Sequence, residues 1–164
     1  MSVTIDVVCA GQAALCAVIA HRMALTLMEA PKFSFQDAMA QLEFARGRLD
    51  FYLDSAKCQG RVWVARIDGE NVGHTMGMAD RDESGPYGHM GTFYVVPGFR
   101  RHGIALAMLK TNSEWLTSLG LPRIVYRTAE DYEPMQKLLL AEGFVRRPAK
   151  FPGFAEFERT TPSP

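Results

Sequence analysis

Charge and glycine meet most densely where residues 96–110 read VPGFRRHGIALAMLK: two arginines and a histidine stand directly before Gly103, and an apolar run with helical spacing follows. A basic, glycine-containing turn at the mouth of a helix suits an anion. The first helical turn leaves backbone N–H groups unpaired at the positive end of its dipole. Solvated charges on an ordinary strand-to-helix connection would read the same way in so short a stretch. Two phosphate sites are excluded by spacing. A P-loop needs G-x-x-x-x-G-K-[ST], and no lysine beside Ser or Thr follows glycines so placed. A dinucleotide fold needs G-x-G-x-x-G in its first βα turn, whereas this turn comes after the fourth expected strand.

Positioning such a turn requires a strand before it and a helix after it, and both are legible. YGHMGTFYVV reads as the strand, and Gly103 to about Leu119 as the helix, with Ile104, Met108, Trp115 and Leu119 inward and Gly120 as its stop. Upstream, VTIDVVCA reads as a first strand, and residues 12–30 as a helix ending before Pro31. A second helix begins after Ser34, with Asp37 completing the cap and Phe35, Met39, Leu42, Leu49 and Leu53 near one face. RVWVARI, the turn DGEN and VGHTMGMA read as a hairpin, and DRDESGP as a polar loop. Downstream, RIVYRT is a strand, Pro134 opens a helix that ends at Gly143, and GFVRR and FAEFERT are closing strands around PAKFPG. The order β-α-α-β-β-β-α-β-α-β-β predicts an α+β fold with a mostly antiparallel sheet covered by helices.

A length of 164 residues with 48% hydrophobic content predicts one domain, over residues 1–160, with 161–164 as a frayed tail. Eighteen basic and eighteen acidic side chains cancel, so no global field draws nucleic acid or an anionic membrane, and an anion site must be local. Cys9, Cys16 and Cys58 form no C-x-x-C pair, which suits a reducing compartment, points to the cytoplasm and argues against a metal site. No window reaches the roughly 18 uninterrupted apolar residues of a membrane span, and the N-terminus makes a poor signal peptide. A homodimer remains open.

Arg100-Arg101-His102-Gly103-Ile104-Ala105 matches the pattern [QR]-x-x-G-x-[GA]. The strand ending FYVVP, the helix after the turn, RIVYRT, the helix closing on AEGF and two helices before the second strand follow in matching order. On these residues the chain resembles the GNAT N-acetyltransferase family over nearly its whole length. The resemblance implies a three-layer α/β/α fold and acetyl-CoA as cofactor. It also implies direct transfer of the acetyl group from the thioester to a primary amine, on a small molecule or peptide, within a ternary complex. It further implies that N–H groups from Arg101 through Gly103 and Ile104 to Ala105 converge on the pyrophosphate, with Arg100, Arg101 and His102 adding charge. The backbone of Val95 and Val96 pairs with the pantetheine arm, and an N–H near Val95 faces the oxyanion.

Residue roles in catalysis follow from the same resemblance. The histone-acetylating branch carries a carboxylate eleven residues before the first motif residue, and that count from Arg100 reaches His89. An imidazole with an ordinary pKa near ~6.5 can accept a proton at neutral pH. His74, Asp80 and Glu83, acting through a water that Thr92 could orient, are the alternatives. The tyrosine that often donates a proton to the leaving thiolate is replaced by Leu139, and the asparagine that often opens the last helix by Tyr132, whose phenol is the candidate acid. Leu139 and the missing carboxylate at position 89 also motivate a rival, a catalytically silent acyl-CoA-binding module. The acceptor pocket is expected near Pro31–Phe35 and Phe151–Phe154. Two acidic groups, Asp80, Asp82, Glu83 and Glu130, Asp131, Glu133, are expected to attract a cationic amine at its mouth. Arg127 would instead read a carboxylate.

Overall fold

The computed structural model describes residues 2–29 and 32–162. Seven strands form one sheet in the order β1-β2-β3-β4-β5-β7-β6. They are β1 (Val3–Val7), β2 (Gly60–Ile67), β3 (Glu70–Asp82), β4 (Gly85–Val95), β5 (Arg123–Ala129), β6 (Val145–Arg147) and β7 (Phe154–Thr160). Five α-helices cover it: α1 (Ala13–Leu25), α2 (Phe35–Ala40), α3 (Leu42–Leu53), α4 (Ile104–Ser118) and α5 (Glu133–Ala141). All neighbouring strands are antiparallel except β4 and β5. This is the expected mixed, mostly antiparallel α+β architecture.

Strand β2 shows why the chain forms three layers. Side chains alternate across a strand, so Val62 and Val64 join Ile19 of α1, Leu49 of α3 and Met76 in one core cluster. Trp63 points the other way and meets Trp115 of α4 edge-on, with ring centroids 5.3 Å apart. A strand covered on both faces reads as a nearly continuous apolar run, as RVWVARI does. The second core cluster joins Met108, Leu109 and Leu116 of α4 to Met135 and Leu139 of α5 and to Ile124 and Phe157 of the sheet.

Four boundaries differ from the sequence expectation, each for a local reason. The first helix ends at Leu25 and continues as a 3₁₀ turn, Thr26–Glu29. There the Thr26 hydroxyl donates to the Met23 carbonyl at 2.6 Å, a side-chain bond that competes with helix continuation; Ala30 and Pro31, the expected stop, lie outside the described residues. The second helix starts at the predicted cap, where Asp37 N–H donates to Ser34 Oγ at 3.2 Å and Ser34 N–H donates to Asp37 Oδ2 at 2.7 Å. It breaks at Gln41 into α2 and α3, so Phe35 stays exposed while Leu49 is buried. The expected DRDESGP loop is largely strand. Asp82 takes a bond from the Ser84 amide at 2.8 Å and pairs with Arg123 and with Lys150, which neutralises the turn and lets β3 run to its tip. Thr161, expected to fray, donates from its hydroxyl to the Leu121 carbonyl at 2.6 Å.

One junction is unlike the rest. The parallel pairing of β4 with β5 covers only Gly88–Met90 against Ile124–Tyr126. Just past it, β4 carries one extra residue relative to β3, because Gly77 faces Met90 while Thr75 faces Phe93. Such a bulge bends its strand and re-aims its side chains. Beyond Met90 the two strands part.

Candidate active site

The wedge between the parted strands is a cleft of about 920 Å³. Met90, Gly91, Thr92 and Phe93 of β4 form one wall and Tyr126 to Ala129 of β5 the other. Tyr132, Glu29 and Lys32 line it as well. Phe33, Phe151 and Phe154, from the two segments where the acceptor pocket was expected, line it together with Phe44 of α3.

The glycine turn stands beside the end of β4. Gly103 is the N-cap of α4 with φ +76°, and Arg101 is left-handed as well, with φ +67°. The left-handed region favours glycine, and a β-carbon at Arg101 is held there at a cost of about 1 kcal/mol or more. The earliest bond within this helix runs from the Ala107 amide to the Gly103 carbonyl at 3.0 Å. The amides of Ile104 and Ala105 are therefore free of helical partners. Left-handed turns of this kind gather successive amides into a concavity for an anion. A donor-only cradle, exposed at Arg101, His102 and Gly103, fits a pyrophosphate by its chemistry.

The three basic side chains separate. Arg101 and His102 lie at the exposed turn, with His102 Nδ1 3.2 Å from the Phe99 carbonyl. Arg100 turns inward: its Nε donates to the Val95 carbonyl at 2.9 Å and its Nη2 lies 3.5 Å from Glu29 Oε1. The two valines separate as well. The Val96 amide is committed to the sheet, donating to the Val72 carbonyl at 2.9 Å. Backbone groups alternate along a strand, so Val95 turns its own away from β3: the carbonyl is taken by Arg100, and the amide is left toward the wedge.

His89 lies in the cleft wall, edge-on to Tyr87, and its buried Nδ1 has no hydrogen-bond partner among the described residues. Burial, reinforced by the positive charges of Arg48 and Arg127 and only partly offset by Asp80, lowers its pKa to about 4. The value expected from sequence was near ~6.5. His89 is therefore uncharged throughout the neutral range. His74 is fully buried, its Nε2 is 3.2 Å from Thr92 Oγ1, and its ring stacks on Tyr94 at 6.0 Å. Burial and then Arg22 lower its pKa to about 3, so it acts as a neutral prop behind the bulge. Asp80 accepts from the Tyr87 hydroxyl at 3.1 Å. Leu139 is wholly buried in the core.

The acidic mouth is mostly absent. Asp82 is consumed by Arg123 and Lys150 at the tip of the β3–β4 hairpin, and of the second acidic group only Asp131 lines the cleft. Arg127, the alternative reader of a carboxylate, is held by Glu156 at 2.7 Å.

A residue that sequence reasoning missed is Glu29. It closes the 3₁₀ turn after α1, its side chain is 17% exposed, and it faces Arg100 and Tyr132 across the cleft. Burial raises its carboxyl pKa to about 7, against the smaller opposing pull of Arg100 and the Tyr132 hydroxyl. The Tyr132 phenol, half-buried at the N-cap of α5, is raised by burial and by Glu29. The one available signal was the position of Glu29 two residues before the segment assigned to the acceptor pocket. Among the described residues no group of three or more His, Cys, Asp or Glu could hold a metal ion, and no helix is long and apolar enough to cross a membrane.

Known proteins place this geometry. The chain superposes on the PaiA N-acetyltransferase from Thermoplasma acidophilum, solved in complex with coenzyme A, with a TM-score of 0.80 at 11% identity, covering 98% of this chain and 100% of that one. A GNAT-family acetyltransferase from Streptococcus pneumoniae gives 0.68 at 16% identity over 98% and 100%. An IAA acetyltransferase from Bacillus cereus ATCC 14579 gives 0.62 at 13% over the same shares. At such identities the likeness is one of fold. No curated protein matches the chain in sequence. The model of the acetyltransferase (GNAT) family matches residues 23–144, which hold the parted strands, the glycine turn and most of the cleft lining, and the chain belongs to that family.

Proposed function

We propose that the protein is an N-acetyltransferase that transfers an acetyl group from acetyl-CoA directly to a primary amine, both bound at once, within a single domain spanning residues 1–160. The observation that carries this reading is the parting of β4 and β5 immediately beside the cradle at Gly103. When bound, acetyl-CoA supplies an activated thioester. Amides from Arg101 to Ala105, through Gly103 and Ile104, hold its pyrophosphate, with charge from Arg101 and His102. Arg100 acts one step back, fixing the end of β4 through the Val95 carbonyl. The open amide of Val95 offers the pantetheine arm a strand-like partner, while Val96 supports that edge from the β3 side.

The acceptor enters past Phe33, Phe44, Phe151 and Phe154, which give it an apolar approach. His89 presents a neutral ring to it. An uncharged imidazole accepts a hydrogen bond from an amine N–H and so helps to orient the nucleophile without adding charge to the cleft. Tyr132 is the acid for the leaving sulfur, since Leu139 has no proton to give. Three free cysteines suit the cytoplasm as its compartment.

The test has two arms. Acetyl-CoA should raise the melting midpoint of the wild type by mass action. Gly103→Glu, which forces a side chain into the left-handed region and adds negative charge at the cradle, should abolish that shift. Equal binding by both proteins in calorimetry would overturn the cofactor site. Release of free thiol with a panel of primary amines reports transfer, and binding without release from any amine would make the protein an acyl-CoA-binding module.

A further inference from the structure

We propose that Glu29 is the general base of the transfer and that Tyr132 returns the proton, so that one pair of side chains carries it from the acceptor nitrogen to the departing sulfur. The inference rests on the acetyltransferase reading above. Three segments far apart in sequence meet here: the 3₁₀ turn after α1 brings Glu29, the turn after β4 brings Arg100, and the N-cap of α5 brings Tyr132. Glu29 and Tyr132 line the same cleft as Phe93 and His89.

The carboxyl of Glu29 is poorly paired for its burial. Its ionic contact with Arg100 is 3.5 Å long, and that guanidinium is shared with the Val95 carbonyl. The phenol of Tyr132 is its other polar neighbour. A carboxylate with open lone pairs, facing a cleft and only loosely neutralised, is equipped to take a proton. The groups acting on it are Arg100 and Tyr132, and its charge acts in turn on the buried Tyr126 of β5. Lys32, Arg48, Arg127 and Asp131 line the remainder of the cleft. The titration of Glu29 at about 7 lies where a base is most effective at neutral pH, whereas the imidazolium of His89, at about 4, would surrender its proton at once.

The step balances without any further reactant. The bond from amine nitrogen to carbonyl carbon forms and the carbon–sulfur bond breaks. One proton passes from nitrogen to a Glu29 carboxylate oxygen. Tyr132 gives its hydroxyl proton to sulfur, and the proton on Glu29 then restores the phenol, leaving both side chains as they began.

The decisive experiment follows kcat of the full chain from about pH 5.5 to 9, with acetyl-CoA and an amine that the wild type acetylates. Wild type should gain rate through a limb near pH 7. Glu29→Gln should lose that limb and about 10²-fold or more in kcat, while keeping the acetyl-CoA thermal shift. His89→Ala should keep the limb. Tyr132→Phe should lower kcat and move the limb upward, because the phenol favours the ionised carboxyl. In the ligand-free protein with carbon-13 glutamate carboxyls, one signal should titrate near 7 and vanish in Glu29→Gln. A Glu29→Gln protein that keeps the limb and stays within about threefold of wild-type kcat overturns the proposal, as does a Glu29 signal that titrates near the ordinary ~4.3. If Glu29→Gln loses the thermal shift, Glu29→Asp replaces it, with reduced kcat and a retained limb expected and an unchanged kcat counting against Glu29. Wild type that acetylates no amine would instead fault the acetyltransferase reading.

Discussion

Two carboxylates meet an arginine across the β4–β5 junction, one at each end, and their surroundings tune them in opposite directions. At the closed end Asp82 pairs with Arg123, which also donates to the Gly85 carbonyl at 3.2 Å, while Lys150 and the Ser84 amide take the remaining lone pairs. Those bonds, the Arg123 contact above all, hold the Asp82 pKa at about 2. At the open end Glu29 is buried with a single long ionic contact, and its pKa stands at about 7. An arginine nearby does not decide the outcome. What decides it is whether hydrogen bonds replace the water that burial removes. The closed end commits its charges to joining strands, and the open end keeps a carboxyl free to exchange a proton.

The largest way to break this contrast is at Arg123. Arg123→Met strips the closed end of its main cation, leaving Glu158 unpaired and Asp82 with Lys150 alone, and should lower the melting midpoint measurably, by more than any other substitution proposed here. A carboxyl with a lowered folded pKa contributes stability above its unfolded value, which is lost as pH falls toward the folded one. Acid unfolding between about pH 4 and 2 should therefore be shallower in Arg123→Met than in wild type. Scanning calorimetry across pH reads both effects.

At the open end the sign reverses. The raised pKa of Glu29 means that folding costs nothing extra below the unfolded carboxyl value. The cost grows from about pH 4.5 and is complete above about 7. Glu29→Gln should therefore stabilise the fold by about 1–2 kcal/mol at pH 8 and leave it nearly unchanged at pH 4. A residue that weakens the fold at working pH while lining the cleft behaves as a functional residue. Denaturant melts at the two pH values decide the point, and equal stability at pH 8 would erase the difference between the two ends. The smallest effect sharpens the contrast from outside. Lys137 and Glu133 form an exposed pair on α5 at 3.4 Å, both 77% exposed, and Lys137→Ala should change stability by less than about 0.5 kcal/mol.

The same contrast marks what could be read from sequence. The cradle was legible because its cause is local: Gly103 supplies a left-handed cap, basic residues precede it, and an apolar helix follows. The Ser34–Asp37 cap and the terminal glycines were legible for the same reason. The bulge in β4 was not, because its cause lies on other elements. A β-carbon on Gly91 would stand 2.4 Å from Met76 Cγ and 3.1 Å from the Tyr52 hydroxyl, so β3 and α3 dictate its backbone path. Asp82 read as loop because nothing in DRDESGP announces that Arg123 and Lys150 will neutralise it. Glu29 stayed hidden because its surroundings come from elsewhere in the chain: its turn packs against α2 and β4, and Arg100 and Tyr132 reach it from the turn after β4 and the cap of α5. Arg100 was assigned to phosphate on its motif position, but the direction of its side chain depends on the Val95 carbonyl.

The brevity of the β4–β5 contact, three residues on each strand, bears on the tempo of turnover. A guest whose amides bond to the free edge of β4 becomes a rung of the ladder, completing backbone pairing that the chain leaves unfinished. On the proposed placement, coenzyme A would keep the same backbone pairing after surrendering its acetyl group. Spent thiol and charged thioester would then compete for a single groove, and free coenzyme A is expected to inhibit competitively against acetyl-CoA.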